Sequence, residues 1–192
     1  MNSFIDNLKF QPLTATNWQQ FEQLMGEKGG CGGCWCMAFR LSPKEFAANK
    51  YDGNKKRMKK LIDENKPTGL IASVNNEPVG WIAVAPREDY IKIENSRSFK
   101  RIDDKPGWSI TCFFVKKEFR RQNLSHKLIK GVIDYAIKKK IKTLEAYPAI
   151  PYSDKVSPPF LWVGILSAFL KNGFTVVKQS SKSRAMVRLE IN

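Results

Sequence analysis

Apolar and polar positions change period several times along the chain, and each change marks an element. Residues 10–13 close a first short strand. Thr16 opens a helix, with Gln19 completing a capping box and Trp18, Phe21, Leu24 and Met25 at helical spacing, and Gly26 ends it. Ser42-Pro43-Lys44-Glu45 is a second capping box with proline at the first helical position. That helical region runs to about Glu64, with a break at Asp52-Gly53-Asn54.

The pattern then turns to strands. Residues 68–74 and 78–85 are apolar runs separated by Asn75-Asn76-Glu77, a hairpin signal. The polar stretch 86–107 reads as a mobile excursion. Residues 108–115, WSITCFFV, are apolar on both faces, as a central strand requires. Leu124, Leu128, Val132 and Tyr135, flanked by Ile129, Ile133 and Ala136, predict a helix ending near Lys140. A strand at 142–147, a helix at 160–172 stopped by Gly173, and strands at 174–178 and 184–191 complete the order. This order predicts an α/β (α+β mixed) fold around one mixed sheet.

A chain of 192 residues with 42% hydrophobic content can bury one substantial core, so residues 1–192 read as a single domain. The opening MNSFIDNLKF does not read as a secretory signal, and the apolar-rich stretch 160–170 is too short to span a bilayer. The expected location is cytoplasmic, with reduced thiols and no membrane partner. The formal charge of +15 favours anionic partners. Its excess is local: residues 115–142 hold ten Lys or Arg against Glu118 and Asp134.

Between the strand ending at Val115 and the helix beginning near Asn123 lies KKEFRRQNLS. A turn feeding a helix N-terminus offers unpaired backbone N–H groups and the positive end of the helix dipole, a site for phosphate. At this point the sequence resembles the GNAT superfamily, the Gcn5-related N-acetyltransferases. The family pattern, an apolar strand ending in Val and then Arg/Gln-x-x-Gly-x-Gly/Ala opening a helix, is matched by Val115 followed by Arg120-Arg121-Gln122-Asn123-Leu124-Ser125. FLKNGF at 169–174 is similar to the second family signature, and the element order matches over residues 8–191. Asn123 and Ser125 stand where glycine is usual, and Phe169 stands where many members hold a tyrosine that protonates the leaving thiolate.

The resemblance implies a mostly antiparallel sheet of six to seven strands flanked by about four helices, with acetyl-CoA as co-substrate. It implies that the backbone of Phe113, Phe114 and Val115 binds the pantetheine arm. The pyrophosphate would lie on Arg121, Gln122, Asn123, Leu124, Ser125 and His126, with Arg120 adding charge. The implied reaction is direct attack of a primary amine, on a small molecule or a protein, in a ternary complex. A non-catalytic acyl-CoA sensor is the alternative, and a basic nucleic-acid module ranks last, since no helix-turn-helix, zinc-finger or RNP signature is present. The oligomeric state stays open, a homodimer included.

Glu145 and Tyr147 share one face of the strand beside the cleft. Glu145 is the candidate base, through water, and Tyr147 the candidate acid in place of the missing tyrosine; packing is the alternative for both. His126, the single histidine, is either a cofactor-edge contact or a surface residue. Trp162 and Gly164 shape the pocket mouth or the core. GGCGGCWCM at 29–37 carries three of the four cysteines. Zinc would need a fourth ligand from Cys112, His126 or an acid, and a Cys31/Cys34 redox pair lacks thioredoxin-like surroundings. No metal is expected, and Cys34, Trp35 and Cys36 are assigned to the wall of the acceptor pocket, a place the family fold implies for this loop.

Overall fold

In a computed structural model, which describes residues 7–151 and 162–191, the strands assemble into one seven-stranded sheet. They are β1 (Lys9–Pro12), β2 (Gly69–Val74), β3 (Glu77–Pro86), β4 (Trp108–Val115), β5 (Thr143–Ala146), β6 (Thr175–Ser181) and β7 (Arg184–Glu190). Their spatial order is β1-β2-β3-β4-β5-β7-β6. All pairings are antiparallel except β4 with β5. A parallel pair needs a crossover, and the helix α5 (Leu124–Lys138) supplies it.

Side chains alternate across this sheet, so each face carries its own core. Leu70, Ile82, Ile110 and Leu144 face Leu128, Ile129 and Val132 of α5. Ile71, Trp81, Ala83 and Cys112 face the other layer, built from α1 (Trp18–Met25) and α3 (Asp52–Asp63). Here Phe21 meets Trp81 edge-on, with ring centroids 4.6 Å apart.

The sequence reading holds for the strands and shifts at helix ends. Ahead of α1, the Thr14 N–H donates to Asn17 Oδ1 at 2.8 Å, so the box forms two residues earlier than Thr16 and Gln19 suggest, around a 3₁₀ turn at Ala15–Asn17. The break in the next helical region also moves. The helix α2 (Pro43–Ala48), capped by Ser42 and Glu45 as expected, stops at Asn49, and α3 begins at Asp52. Tyr51 adopts φ 64° and donates its N–H to Gly33 O at 3.0 Å, so the glycine-cysteine loop fixes the break. Of the expected helix at 160–172, α6 (Leu166–Leu170) is helical, while residues 160–161 lie outside the described residues.

The polar stretch 86–107 is not a free excursion. It contains α4 (Ile91–Glu94), and Tyr90 and Ile93 are fully buried. Two arginines tie it to the sheet. Arg87, 2% exposed, pairs with Glu94 at 2.6 Å and Glu145 at 2.7 Å, and donates to the Phe99 carbonyl. Arg188 of β7 pairs with Asp103 at 2.6 Å and with Glu145 at 2.7 Å. Glu94 and Phe99 are 7 and 12 residues from Arg87, but the pairs with Glu145 and Asp103 join residues 43 to 85 apart in sequence, and local periodicity carries no sign of them.

The Arg188 guanidinium holds the Asp103 carboxyl down to about 2. A carboxylate depressed in the folded state stabilises above its unfolded pKa, near 4, and loses that contribution as pH falls toward the folded value. Thermal melts should therefore give a level midpoint from neutral pH to about 5 and a decline between about 4 and 2. Asp103→Asn should lower the neutral midpoint and flatten that decline.

Candidate functional site: an open strand edge above a helix N-terminus

The parallel pair β4–β5 is short. It joins Trp108 to Leu144, Ser109 to Glu145 and Ile110 to Ala146, and then ends. On its other side β4 pairs with β3, where Ala83 faces Cys112 and Val84 faces Ile110, so Thr111 is the extra residue of a bulge. A bulge bends its strand and increases the local twist. Beyond it, β4 continues along β3 and parts from β5.

This parting leaves one edge of Phe113, Phe114 and Val115 without a strand partner. The Phe113 N–H points to that edge and donates to Trp162 O at 2.6 Å. Alternation turns the Val115 N–H to the same edge, where it meets no acceptor among the described residues. The Val115 carbonyl accepts from Arg120 Nε at 3.0 Å, which anchors the turn toward α5.

That turn is built on two left-handed residues, Arg121 and Asn123, each with φ 60°. Asparagine visits this region more readily than most residues, which suits Asn123 to the N-cap of α5. None of the backbone N–H groups of Arg121, Gln122, Asn123, Leu124, Ser125 and His126 has an acceptor among the described residues. They converge at the positive end of a fifteen-residue helix. The Gln122 side chain donates to Glu118 O at 2.8 Å and braces the turn from outside. His126 Nδ1 accepts from Asn172 Nδ2 at 2.7 Å, while the same amide donates to Ala168 O at 2.7 Å. The ring proton is thereby assigned to Nε2, and His126 docks α6 onto the first turn of α5.

On the opposite face of the sheet the cysteine loop closes over β4. Trp35 and Cys36 both have positive φ, at 42° and 56°. A Cβ at Gly29 would collide with the Trp35 indole, so the loop can pack this way only with glycine there. Trp35 is buried beside Trp18 and Phe21, at ring distances of 6.3 and 6.0 Å. Cys36 reaches the sheet: its Sγ accepts from Trp81 Nε1 at 3.0 Å and lies 3.2 Å from Cys112 Sγ. Hydrogen bonding to Cys36 and burial push the Cys34 thiol up, and hydrogen bonding to Cys112 does the same for Cys36. Such thiols stay protonated and poorly nucleophilic. No cluster of three or more potential metal ligands is arranged to hold an ion among the described residues.

Glu145 and Tyr147 share a face, and both are buried, at 3% and 1% exposure. Glu145 Oε2 accepts from Arg87 at 2.7 Å and Oε1 from Arg188 at 2.7 Å, so both carboxylate oxygens are engaged. The Tyr147 hydroxyl meets Arg87 at 3.0 Å and Ser109 Oγ at 2.9 Å, and burial pushes its pKa up. Phe169 is fully buried and meets Phe113 and Phe174 edge-on, at 5.8 and 5.2 Å. Gly164, with φ 79°, sits where a Cβ would press on both Phe113 and Phe169.

Sequence reasoning missed the Thr111 bulge, Arg87, the Cys36–Cys112 contact and the Asn172 bridge. Thr111 and Arg87 carry no local pattern. Cys112 was named only as a possible zinc ligand, and its central-strand position was the available signal for contact with the loop.

The match to known proteins agrees with this geometry. The model of the acetyltransferase (GNAT) family matches residues 35–154. No curated protein matches the chain. Among solved structures, the PaiA N-acetyltransferase from Thermoplasma acidophilum in complex with coenzyme A is similar over 96% of this chain and 99% of that one, with 15% identity and a TM-score of 0.52. A putative GNAT-family acetyltransferase from Desulfovibrio desulfuricans covers 95% and 98%, with 10% identity and a TM-score of 0.52. The NatC complex bound to Gag peptide and CoA covers 97% and 99%, with 14% identity and a TM-score of 0.54. At these identities the structures speak for the fold. The family model spans more than half of the chain, and it is this match, on a sheet that parts above the α5 N-terminus, that makes the chain a member of the GNAT acetyltransferase family.

Proposed function

We propose that the chain is a single-domain acetyl-CoA-dependent N-acetyltransferase that acylates a primary amine of a small molecule or a protein. The observation that carries this reading is the row of six N–H groups from Arg121 to His126, unpaired among the described residues, beside the open edge of β4. Such a row suits a pyrophosphate, since it combines free donors with the helix dipole and meets no side-chain acceptor among the described residues. Arg121 and Arg120 flank it and add positive charge. The open edge suits an extended amide-bearing arm laid down as an added strand.

Bound acetyl-CoA supplies a thioester carbonyl for attack by a neutral amine. The Val115 N–H, unpaired on the open edge, is the donor available for the negative charge that builds on that carbonyl oxygen. Cys36, Cys112 and Trp81 form an apolar floor beneath β4 that excludes water. In this reading Glu145 is a positioning residue: with both oxygens held by guanidinium groups, it fixes Arg87 and the strand ends rather than taking the amine proton. Tyr147, bonded to Ser109 and Arg87, belongs to the same framework. Cys34 and Trp35 support the loop that forms the acceptor wall.

Titration calorimetry with coenzyme A tests the cofactor assignment. Asn123→Val puts a β-branched residue at φ 60° and should weaken binding by about tenfold or more, whereas Asn123→Gly should bind within about threefold of wild type. No binding by wild type at millimolar cofactor would overturn the assignment. The sensor alternative rests on Phe169, which offers no proton where a leaving thiolate would need one. Thiol release with a panel of amines separates the two, because a sensor releases none.

The role of Glu145 has its own test. Removing one member of a buried ionic network costs about 3 kcal/mol of stability or more. Glu145→Gln should therefore lower the melting midpoint and leave the shape of the pH–rate profile unchanged. A profile that loses its acid-side limb, with a rate loss of about a hundredfold, would make Glu145 the base instead.

A further inference from the structure

The basic excess between Lys116 and Lys142 has two ends, and the cofactor reading uses only one. At a rise of about 1.5 Å per residue, the C-terminus of α5 lies about 20 Å from the N–H row at its start. Lys139, Lys140 and Lys142 are therefore out of reach of a pyrophosphate held there. All three are exposed, and none has an ion-pair partner among the described residues. The turn that presents them is fixed: Ile141 N donates to Ala136 O at 2.9 Å, Lys140 N to Ile137 O at 3.1 Å, and Lys140 takes φ 58°.

These lysines line one wall of a groove of about 650 Å³ at the end of the sheet away from the open edge. Its floor is apolar, with Leu13, Ile62 and Ile141 buried beneath a half-buried Trp108, and Glu88 is the only acidic lining residue among the described residues. Tyr135 stands beside Trp108 in a tilted pair, with centroids 6.2 Å apart. Four prolines, Pro12, Pro67, Pro86 and Pro106, contribute to the rim, together with Thr14, Asn65, Lys66 and Gly107.

This lining selects among anions. The four proline positions have no N–H to donate, so they add no backbone donor to the grip on an anion. Recognition falls to lysine ammonium groups, which are flexible point charges rather than a forked clamp. Such charges suit carboxylates spread along an extended chain, with one apolar side chain on the floor. A nucleic acid would want a longer basic track and a free aromatic face for stacking, and the Trp108 ring is instead tilted against Tyr135.

We propose that this groove docks an acidic linear segment of a partner protein, with Asp or Glu residues on Lys139, Lys140 and Lys142 and a bulky apolar residue on the floor. Docking there requires no acetyl-CoA, and its failure would leave the cofactor assignment untouched.

Fluorescence anisotropy with the full chain and a fluorescein-labelled peptide of alternating glutamate and phenylalanine tests the proposal. Binding should weaken with salt, and the double variant Lys139→Glu, Lys142→Glu should weaken it by about tenfold or more. Circular-dichroism melts establish that the variant is folded; Lys139→Ala with Lys142→Ala gives a second, milder reading of the same contact. An all-glutamate peptide should bind at least several-fold more weakly than the alternating one. The proposal is overturned if the charge reversal leaves binding unchanged. It is equally overturned if the all-glutamate peptide, or a single-stranded oligonucleotide of equal charge, binds as tightly as the alternating peptide.

Discussion

The separation of β4 from β5 after Ile110 is the constraint on which the rest of this molecule depends. A single inserted residue, Thr111, bends β4 along β3 and takes it out of reach of β5. The separation creates the open edge of Phe113 to Val115. It also sets the entry of the chain into α5, where the preceding turn and the first helical turn together present six N–H groups beside that edge. Most of the sheet is ordinary packing of β-branched and aromatic residues, and it serves to hold these two backbone features in register.

The cysteine-rich loop reads differently once β4 is placed. Its glycines provide the backbone freedom that lets Trp35 fold back under α1 and Cys36 reach Cys112. Cys36 is buried and Cys34 partly buried, the two are hydrogen-bonded within a chain that ends at Cys112, and both are pushed toward the protonated form, while Cys31 is exposed. The buried thiols pack the loop against the sheet, and the loop also fixes the start of α3 through the Tyr51–Gly33 hydrogen bond.

Legibility in the sequence followed the range of the interactions. β4, α5 and the β2–β3 hairpin are written locally, in apolar runs, a wide helical stripe and an Asn-Asn turn, and they appear within a few residues of their expected bounds. The turn before α5 was legible because it is one continuous segment, and Asn123, standing where glycine is usual, takes a left-handed conformation. Segment 86–107 was misread because its anchors are distant charges: Arg87 finds Glu145, and Asp103 finds Arg188. The same network gives Glu145 and Tyr147 partners that the two-residue period of a strand could not reveal.

The central claim is that the open edge of β4 and the first turn of α5 act together as one cofactor-binding surface. Amide hydrogen exchange with and without coenzyme A measures this directly, residue by residue. The account predicts slowed exchange at Val115 and across residues 121–126, with little change at Trp108 to Ile110, whose N–H groups lie where β4 and β5 are still paired. Unchanged exchange at 121–126 under saturating coenzyme A, or protection confined to another surface, would contradict it.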